Sequence, residues 1–273
     1  MSGALRPRVS ERGACTVILP SGMTVRALFY ARMFTEMKTA GRFCLQGIHA
    51  RKTGKVSGKK GDHMDRNGKE IGRLQAAECI KNLKAHNFDA DFFETKEEVL
   101  SYLKEHIKKG SSIGIGGSVT LKETGILQWL TGNEDYRFLD RYHTDDVKQV
   151  FRDSFSADVY LMSANAVTLN GCLYNVDGNG NRVAALIYGP DKVYVIAGVN
   201  KIVPDLDAAI ERVKQTAAPV NNVRLGLANP CTKLGRCAQC LSESSICNEF
   251  VVTRRSGVKG RIHVLLAGEE LGY

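Results

Sequence analysis

Downstream of Met64 the apolar positions fall into alternating helical and strand-like stretches. Ile71, Leu74, Ala77, Ile80 and Leu83 recur at the spacing of one helical face, which predicts a helix over residues 65–86. A short strand at 91–94 follows. Val99, Leu103 and Ile107, with Leu100 beside them, predict a helix over 96–109 that Gly110 stops. Residues 112–116 read as a short buried strand, and a further helix begins after Ser118. Val147, Val150 and Phe151 mark a helix over 145–154, and residues 157–162 a strand. The run 193–197 is apolar throughout, the mark of a strand covered on both faces. Leu206, Ala209, Ile210 and Val213 set the next helix, and 224–227 and 262–266 read as late strands. Strands and helices alternating at this spacing predict an α/β protein with a mainly parallel sheet flanked by helices. In such sheets ligands bind beyond the carboxyl ends of the strands.

Charge separates the chain at the same point. Residues 1–63 carry twelve Lys or Arg against three Asp or Glu, which accounts for the whole net charge of +9. Residues 64–273 hold 26 basic and 26 acidic residues, so charge gives no support to nucleic-acid binding by that part. The basic, glycine-rich cluster 51–61 resembles a linker. The segment before it is Arg-rich and acid-poor, as transit peptides are. We expect 1–63 to be a poorly ordered basic extension with no part in the fold, from a start site placed upstream of Met64. We expect 64–273 to form the α/β domain. No run of about 18 apolar residues occurs, so no membrane span is indicated.

Two turn-rich stretches carry candidate binding residues. Around Gly116, Gly117, Ser118 and Thr120 a strand passes through glycines into a helix. Backbone N–H groups there can cradle a phosphate or carboxylate, or the turn is an ordinary strand-to-helix connection. Ser118 or Thr120 can cap the helix, and Glu123 completes a capping box with Thr120. The stretch lacks the Walker lysine and the third glycine of a dinucleotide fingerprint. Further on, Asn170-Gly171 signals a type I′ hairpin, and 177–181 a second sharp turn. Asn170 and Asn179 belong to those turns. Asn165 and Asn175 flank them, and either meet a ligand or satisfy backbone groups.

The chain holds eight cysteines. Cys79 reads as core and Cys172 as a small packed side chain. Cys231, Cys237, Cys240 and Cys247 fall within the loop 229–249 at a C-x5-C-x2-C-x6-C spacing. Four thiolates so close together predict a metal centre, either an iron–sulfur cluster or zinc. Lys233, Arg236 and Arg254 stand near enough in sequence to offset their charge. With no signal peptide the expected location is the cytoplasm, where disulfides are disfavoured. No GxSxG or HExxH motif occurs, and no histidine stands out as a general base. Glu123 is the best-placed carboxylate.

Taken together, the turn at 116–120 with Glu123 and Gly125, the stretch from Ser163-Ala164-Asn165-Ala166 to Asn175 with Gly178, Gly180 and Asn181, and the ending Gly268-Glu269-Glu270-Leu271-Gly272-Tyr273 resemble the LUD domain of lactate utilization proteins. The resemblance covers 64–273. It implies a fold similar to the ribose-5-phosphate isomerase, CoA-transferase and formyltetrahydrofolate cyclo-ligase group, with the glycine turn and asparagine stretch facing one cleft. It also implies a link to L-lactate oxidation beside iron–sulfur or flavin redox partners. The four-cysteine loop departs from the compact member of the lactate operon and makes the chain resemble either a cysteine-bearing branch or the larger iron–sulfur relative.

Three functions follow as expectations. The first is a redox accessory, with an iron–sulfur cluster for electron transfer and a cleft for a small anionic metabolite. The second is a transferase- or ligase-like enzyme on a phosphate- or carboxylate-bearing metabolite, with structural zinc. The third is a non-catalytic binding or regulatory module. The reading of 1–63 has its own test: protein purified from its native cell is expected to give an intact mass beginning at Met64, and a mass that includes residue 1 would refute the upstream-start reading.

Overall fold

The computed structural model describes residues 64–273. The expectations placed on 1–63, including Cys15 and Cys44, lie outside the described residues. From Met64 the chain runs α1 (Arg66–Ala85), β1 (Asp89–Phe93), α2 (Lys96–His106), β2 (Ser112–Ile115), α3 (Val119–Glu123), α4 (Ile126–Leu130), β3 (Arg137–Leu139) and α5 (Val147–Asp153). It continues through β4 (Val159–Met162), β5 (Ala166–Thr168), β6 (Leu173–Asp177), α6 (Asn181–Ile187), β7 (Lys192–Gly198) and β8 (Ile202–Val203). It ends with α7 (Leu206–Arg212), α8 (Ala218–Arg224), α9 (Pro230–Leu234), β9 (Glu249–Thr253) and β10 (Ile262–Ala267). A π-helical turn, Val213–Ala217, joins α7 to α8.

Six strands form one sheet in the order β1-β10-β7-β4-β2-β3, with every pairing parallel. The period-two alternation of the strands divides the core between its faces. Val193, Val195, Val264, Leu266, Tyr160 and Met162 point to one face, where Ala76, Cys79 and Leu83 of α1 and Ala185 and Leu186 of α6 cover them. Tyr194, Ile196, Leu265, Val159 and Leu161 point to the other, under Val99 and Leu103 of α2 and Leu121, Ile126 and Leu130 of α3 and α4. Burial on both faces explains why β4 and residues 193–197 of β7 read as apolar runs, and β10 as one interrupted only by His263. The fold is therefore α/β, with a parallel sheet flanked by helices.

A second, smaller sheet has the order β8-β5-β6-β9. Its core is Ala166, Tyr174 and Val176 against Ala209, Val213, Ala217 and Ala218. A hairpin through Asn170-Gly171 joins its antiparallel strands β5 and β6, but only Gly171 has positive φ, so the turn is not the expected type I′, which needs positive φ at both residues.

Several expectations are corrected. The helix at 66–85 is present, but its buried stripe is Gly72, Ala76, Cys79 and Leu83, while Ile71 and Leu74 are exposed. The close-packed face is set by small residues that let α1 approach the sheet, which a count of large apolar residues misses. Residues 224–227 are not a strand: Arg224 ends α8, and Gly226 turns the chain with φ +67°. A short apolar run has no periodicity with which to tell a strand from a helix end. The expected capping box at Thr120 and Glu123 is absent, since α3 has no side-chain cap and both side chains bond residues 271–272 instead.

The hairpin docks on α1. Asn82 Nδ2 donates to Leu169 O at 2.7 Å, and His86 Nδ1 lies 2.9 Å from Gly171 O. Gly171 has φ +83°, and a Cβ there would sit 2.6 Å from the Asn82 carbonyl carbon. Gly171→Ala is expected to destabilise the protein by about 2 kcal/mol or more through strain and collision, read as a lower urea midpoint. An unchanged midpoint would refute this account of the docking.

Candidate functional site

Three neighbouring strands of the large sheet deliver the centre of the site from their carboxyl ends. The chain leaves β2 through Gly116, Gly117 and Ser118 to Thr120, leaves β4 into Ser163, and leaves β7 into Lys201. Because β7, β4 and β2 lie side by side and parallel, these ends converge. Lys201 Nζ donates to Thr120 Oγ1 and Ser163 Oγ, each at 2.9 Å, and to Ala164 O at 3.3 Å. Ser163 Oγ lies 3.3 Å from Thr120 Oγ1. All three residues are buried.

A cleft of about 320 Å³ opens over this centre. Gly117, Ser118, Thr120, Ser163, Asn165 and Lys201 line it, with Arg141, Arg182, Arg224 and Tyr273. Three guanidinium groups and the Lys201 amine thus face one cavity. Among the described residues none of the four has a carboxylate oxygen within ion-pair distance. Asp177 is the one carboxylate side chain in the lining, and its Oδ2 accepts from the backbone N–H groups of Arg182 and Val183 at the start of α6. The lining of the cleft is therefore rich in basic side chains.

Arg182 is held from beneath. Its guanidinium donates to Ser163 O (2.9 Å), Asn175 Oδ1 (2.5 Å), Asn165 Oδ1 (3.2 Å) and Val176 O (2.9 Å). These acceptors offset the desolvation that lowers its pKa. Arg212 donates to Asn165 O (2.6 Å) and Asn200 O (3.1 Å), tying the asparagine stretch to α7. Burial pushes the Lys201 amine down to about 7, and the nearby Arg212 and Arg182 charges act in the same direction, against a weaker opposing effect from Glu123.

The residues singled out from sequence divide between lining and support. Gly117, Ser118, Thr120 and Asn165 line the cleft. Gly116 stands behind it: its N–H is committed to Leu161 O at 2.9 Å, and a Cβ there would come within 3.0 Å of Arg182 Cδ. The glycine gives Arg182 room. Asn175 is buried and also serves Arg182. Glu123 Oε2 accepts from Gly272 N at 2.7 Å, so it fastens the segment that carries Tyr273. Sequence reasoning missed Lys201, Ser163, Arg182, Arg141 and Arg224. Of these, Ser163 opens the asparagine-bearing stretch and Arg182 directly follows Asn181.

The four clustered cysteines gather round a second cavity of about 360 Å³, lined also by Tyr174, Val213, Ala218, Leu241 and Phe250. Among the described residues no three His, Cys, Asp or Glu side chains converge as a single ion would require. The thiols nevertheless sense one another. Cys247 is raised to about 11, first by burial and then by the charges of Cys237, Cys231 and Cys240. Burial and two of those neighbours also raise Cys231, whereas hydrogen bonds from Ser242 lower Cys240. The loop is pinned by Asn229, whose Nδ2 donates to Asn222 Oδ1 (2.7 Å) and Ser244 O (2.9 Å). Lys214 is the cation in the wall; Lys233 and Arg236 are exposed outside it.

The two cavities share a partition. Ser245 and Ile246 line both. On the helical stretch 213–224, Ala217, Asn221 and Arg224 face the cleft, while Val213, Lys214, Ala218 and Asn222 face the thiols.

Compared with known proteins, residues 76–267 match the family model of the LUD domain. No curated protein matches the chain. Among solved structures, a DUF162 family protein from Deinococcus radiodurans is similar at 17% identity and a TM-score of 0.42, over 73% of this chain and 98% of that one.

The Lys201 amine links stability to pH. Its folded pKa of about 7 lies below the unfolded value of 10.5, so the unfolded chain binds more protons between those limits and stability rises with pH there. The slope approaches about 1.4 kcal/mol per pH unit for one such group. Lys201→Met is expected to remove that contribution. Urea unfolding at pH 7, 8 and 9 checks it: the wild-type minus variant difference should grow in favour of wild type with pH, and a constant difference would refute it.

Proposed function

The chain belongs to the LUD-domain family, and from that premise we propose that it is a redox accessory protein whose cleft binds a small carboxylate and whose four cysteines hold an iron–sulfur cluster. Membership carries a lactate-utilization-related role at the level of the family. The observation that carries the finer reading is the cleft: Arg141, Arg182, Arg224 and Lys201 face a cavity sized for a small anionic metabolite, beside the Ser163 and Thr120 hydroxyls. A 2-hydroxy or 2-oxo acid uses both kinds of group, its carboxylate on the cations and its second oxygen on the hydroxyls.

The donor set at the second cavity fits a cluster. Each iron of a cluster takes its own thiolate, so the sulfurs stand round a body instead of meeting at one point. Cys231, Cys237, Cys240 and Cys247 stand round an apolar cavity in that way, with Lys214 to offset negative charge. When bound, the cluster would supply one-electron transfer. The chain's own part is to bind and orient the acid in the adjoining cleft, to hold its carboxylate, and to accept a proton at Lys201 Nζ. The partition of Ser245, Ile246 and the helical stretch 213–224 supports the pairing of an organic substrate with a redox centre. In this reading the protein works in a reducing compartment, the cytoplasm, and exchanges electrons with an iron–sulfur or flavin protein.

Anaerobic purification is expected to give a brown protein with iron and acid-labile sulfide, bleached by dithionite. A colourless protein with stoichiometric zinc would refute electron transfer and leave the transferase-like reading. In parallel, lactate or pyruvate is expected to raise the melting temperature through binding to the folded state. Arg182→Gln should abolish the shift, and a panel of small carboxylates without any shift would refute the cleft assignment.

A further inference from the structure

Lys201 stands apart from the other cations of the cleft. The three arginines carry charge at any accessible pH. Lys201 is instead a primary amine in the cavity lining, 3% exposed, with two hydroxyls at 2.9 Å, the Ala164 carbonyl at 3.3 Å and no carboxylate within ion-pair distance. A buried amine among cations is poorly placed to remain an ammonium, and in its neutral form it carries a lone pair. The two hydroxyls belong to different segments, Thr120 to α3 and Ser163 to the loop after β4, and touch each other as well, so they form a short relay at the nitrogen. A role limited to anion binding calls for none of this, and a further arginine would serve it better.

We propose that Lys201 is a nucleophile that forms an imine with the carbonyl carbon of a 2-oxo acid bound in the cleft, with Ser163 and Thr120 moving the protons. The proposal rests on the reading of the cleft as a carboxylate site. The Nζ lone pair adds to the carbonyl carbon, making the N–C bond, and the nitrogen loses its protons through the hydroxyl relay. The same relay returns protons to the former carbonyl oxygen, which leaves as water when the C=N bond forms. Amine and 2-oxo acid thus give imine and water, with no change in oxidation state and no other reactant. Arg141, which lies over the Phe151 ring, and Arg224, which spends two donors on Asn221 Oδ1, face the cleft with no carboxylate partner and would take the substrate carboxylate, and Arg182 adds its charge from below. Lactate has no carbonyl and cannot react, so the site separates a 2-hydroxy acid, which binds, from its 2-oxo counterpart, which is captured.

The full chain is incubated with pyruvate and cyanoborohydride, and the modified peptide is identified by mass spectrometry. The expected result is one reduced pyruvyl adduct, on Lys201, saturable in pyruvate and suppressed by excess lactate. No surface lysine should reach the same extent. Ser163→Ala should slow labelling at saturating pyruvate about tenfold or more, as loss of a proton-transfer group does. Pyruvate binding without a Lys201 adduct would overturn the imine and leave the carboxylate site standing. Neither binding nor adduct would overturn both. Labelling of Lys201 no faster than that of exposed lysines would reduce Lys201 to a structural cation, and labelling unchanged in Ser163→Ala would overturn the hydroxyl relay.

Discussion

Lys201 Nζ, held at 2.9 Å from both Thr120 Oγ1 and Ser163 Oγ, joins the ends of three strands at one nitrogen. A buried amine must find acceptors, because leaving its N–H groups unpaired costs several kcal/mol. Those acceptors come from the segments after β2 and β4, so the contact requires β7, β4 and β2 to be adjacent, parallel and in register. The constraint reaches further. Thr120 Oγ1 also donates to Leu271 O, and Asn200, beside Lys201, bonds the backbone of Leu271 and Gly272. The closing segment after β10 is thereby drawn over the site and sets Tyr273 in its wall.

The second layer of the site exists to keep Arg182 in place. Asn165 and Asn175 face it from β6 and the preceding loop, and Gly116 leaves space for its stem. Asp177 holds the backbone at the start of its helix. A guanidinium with its donors occupied is fixed in position but keeps its charge, which is the state required of a group that attracts an anion without moving to meet it. The small sheet serves this end, since β6 brings Asn175, Val176 and Asp177 to Arg182 on one strand. It also supplies Tyr174 and Phe250 to the thiol cavity, so both cavities hang on the same four strands.

How legible this was depends on the range of the interaction. Tyr160 and Met162, or Val193 and Val195, announce their strands through local pattern, and the hairpin was plain in Asn170-Gly171. The thiol cluster was visible because its members lie close in sequence. Ile71 and Leu74 misled, because bulk was taken for burial where Gly72 and Ala76 allow the closer approach. Glu123 was read through the nearest partner its spacing offered, yet its bond is to Gly272, 149 residues away. Lys201 sat in an ordinary-looking Val-Asn-Lys-Ile and carried no local mark at all.

The order of apolar and polar residues by itself determined the α/β class, the parallel character of the buried strands, the turn at the hairpin and the four-thiol loop. Each of those follows from period, backbone freedom or ligand chemistry within a few residues. Only the tertiary structure decided that the site is cationic, that Lys201, Ser163 and Thr120 meet, and that the thiol cavity shares a wall with the cleft. Such facts depend on which strands become neighbours. Strand adjacency is set by packing the whole chain around two faces of one sheet, and no single stretch of sequence encodes it.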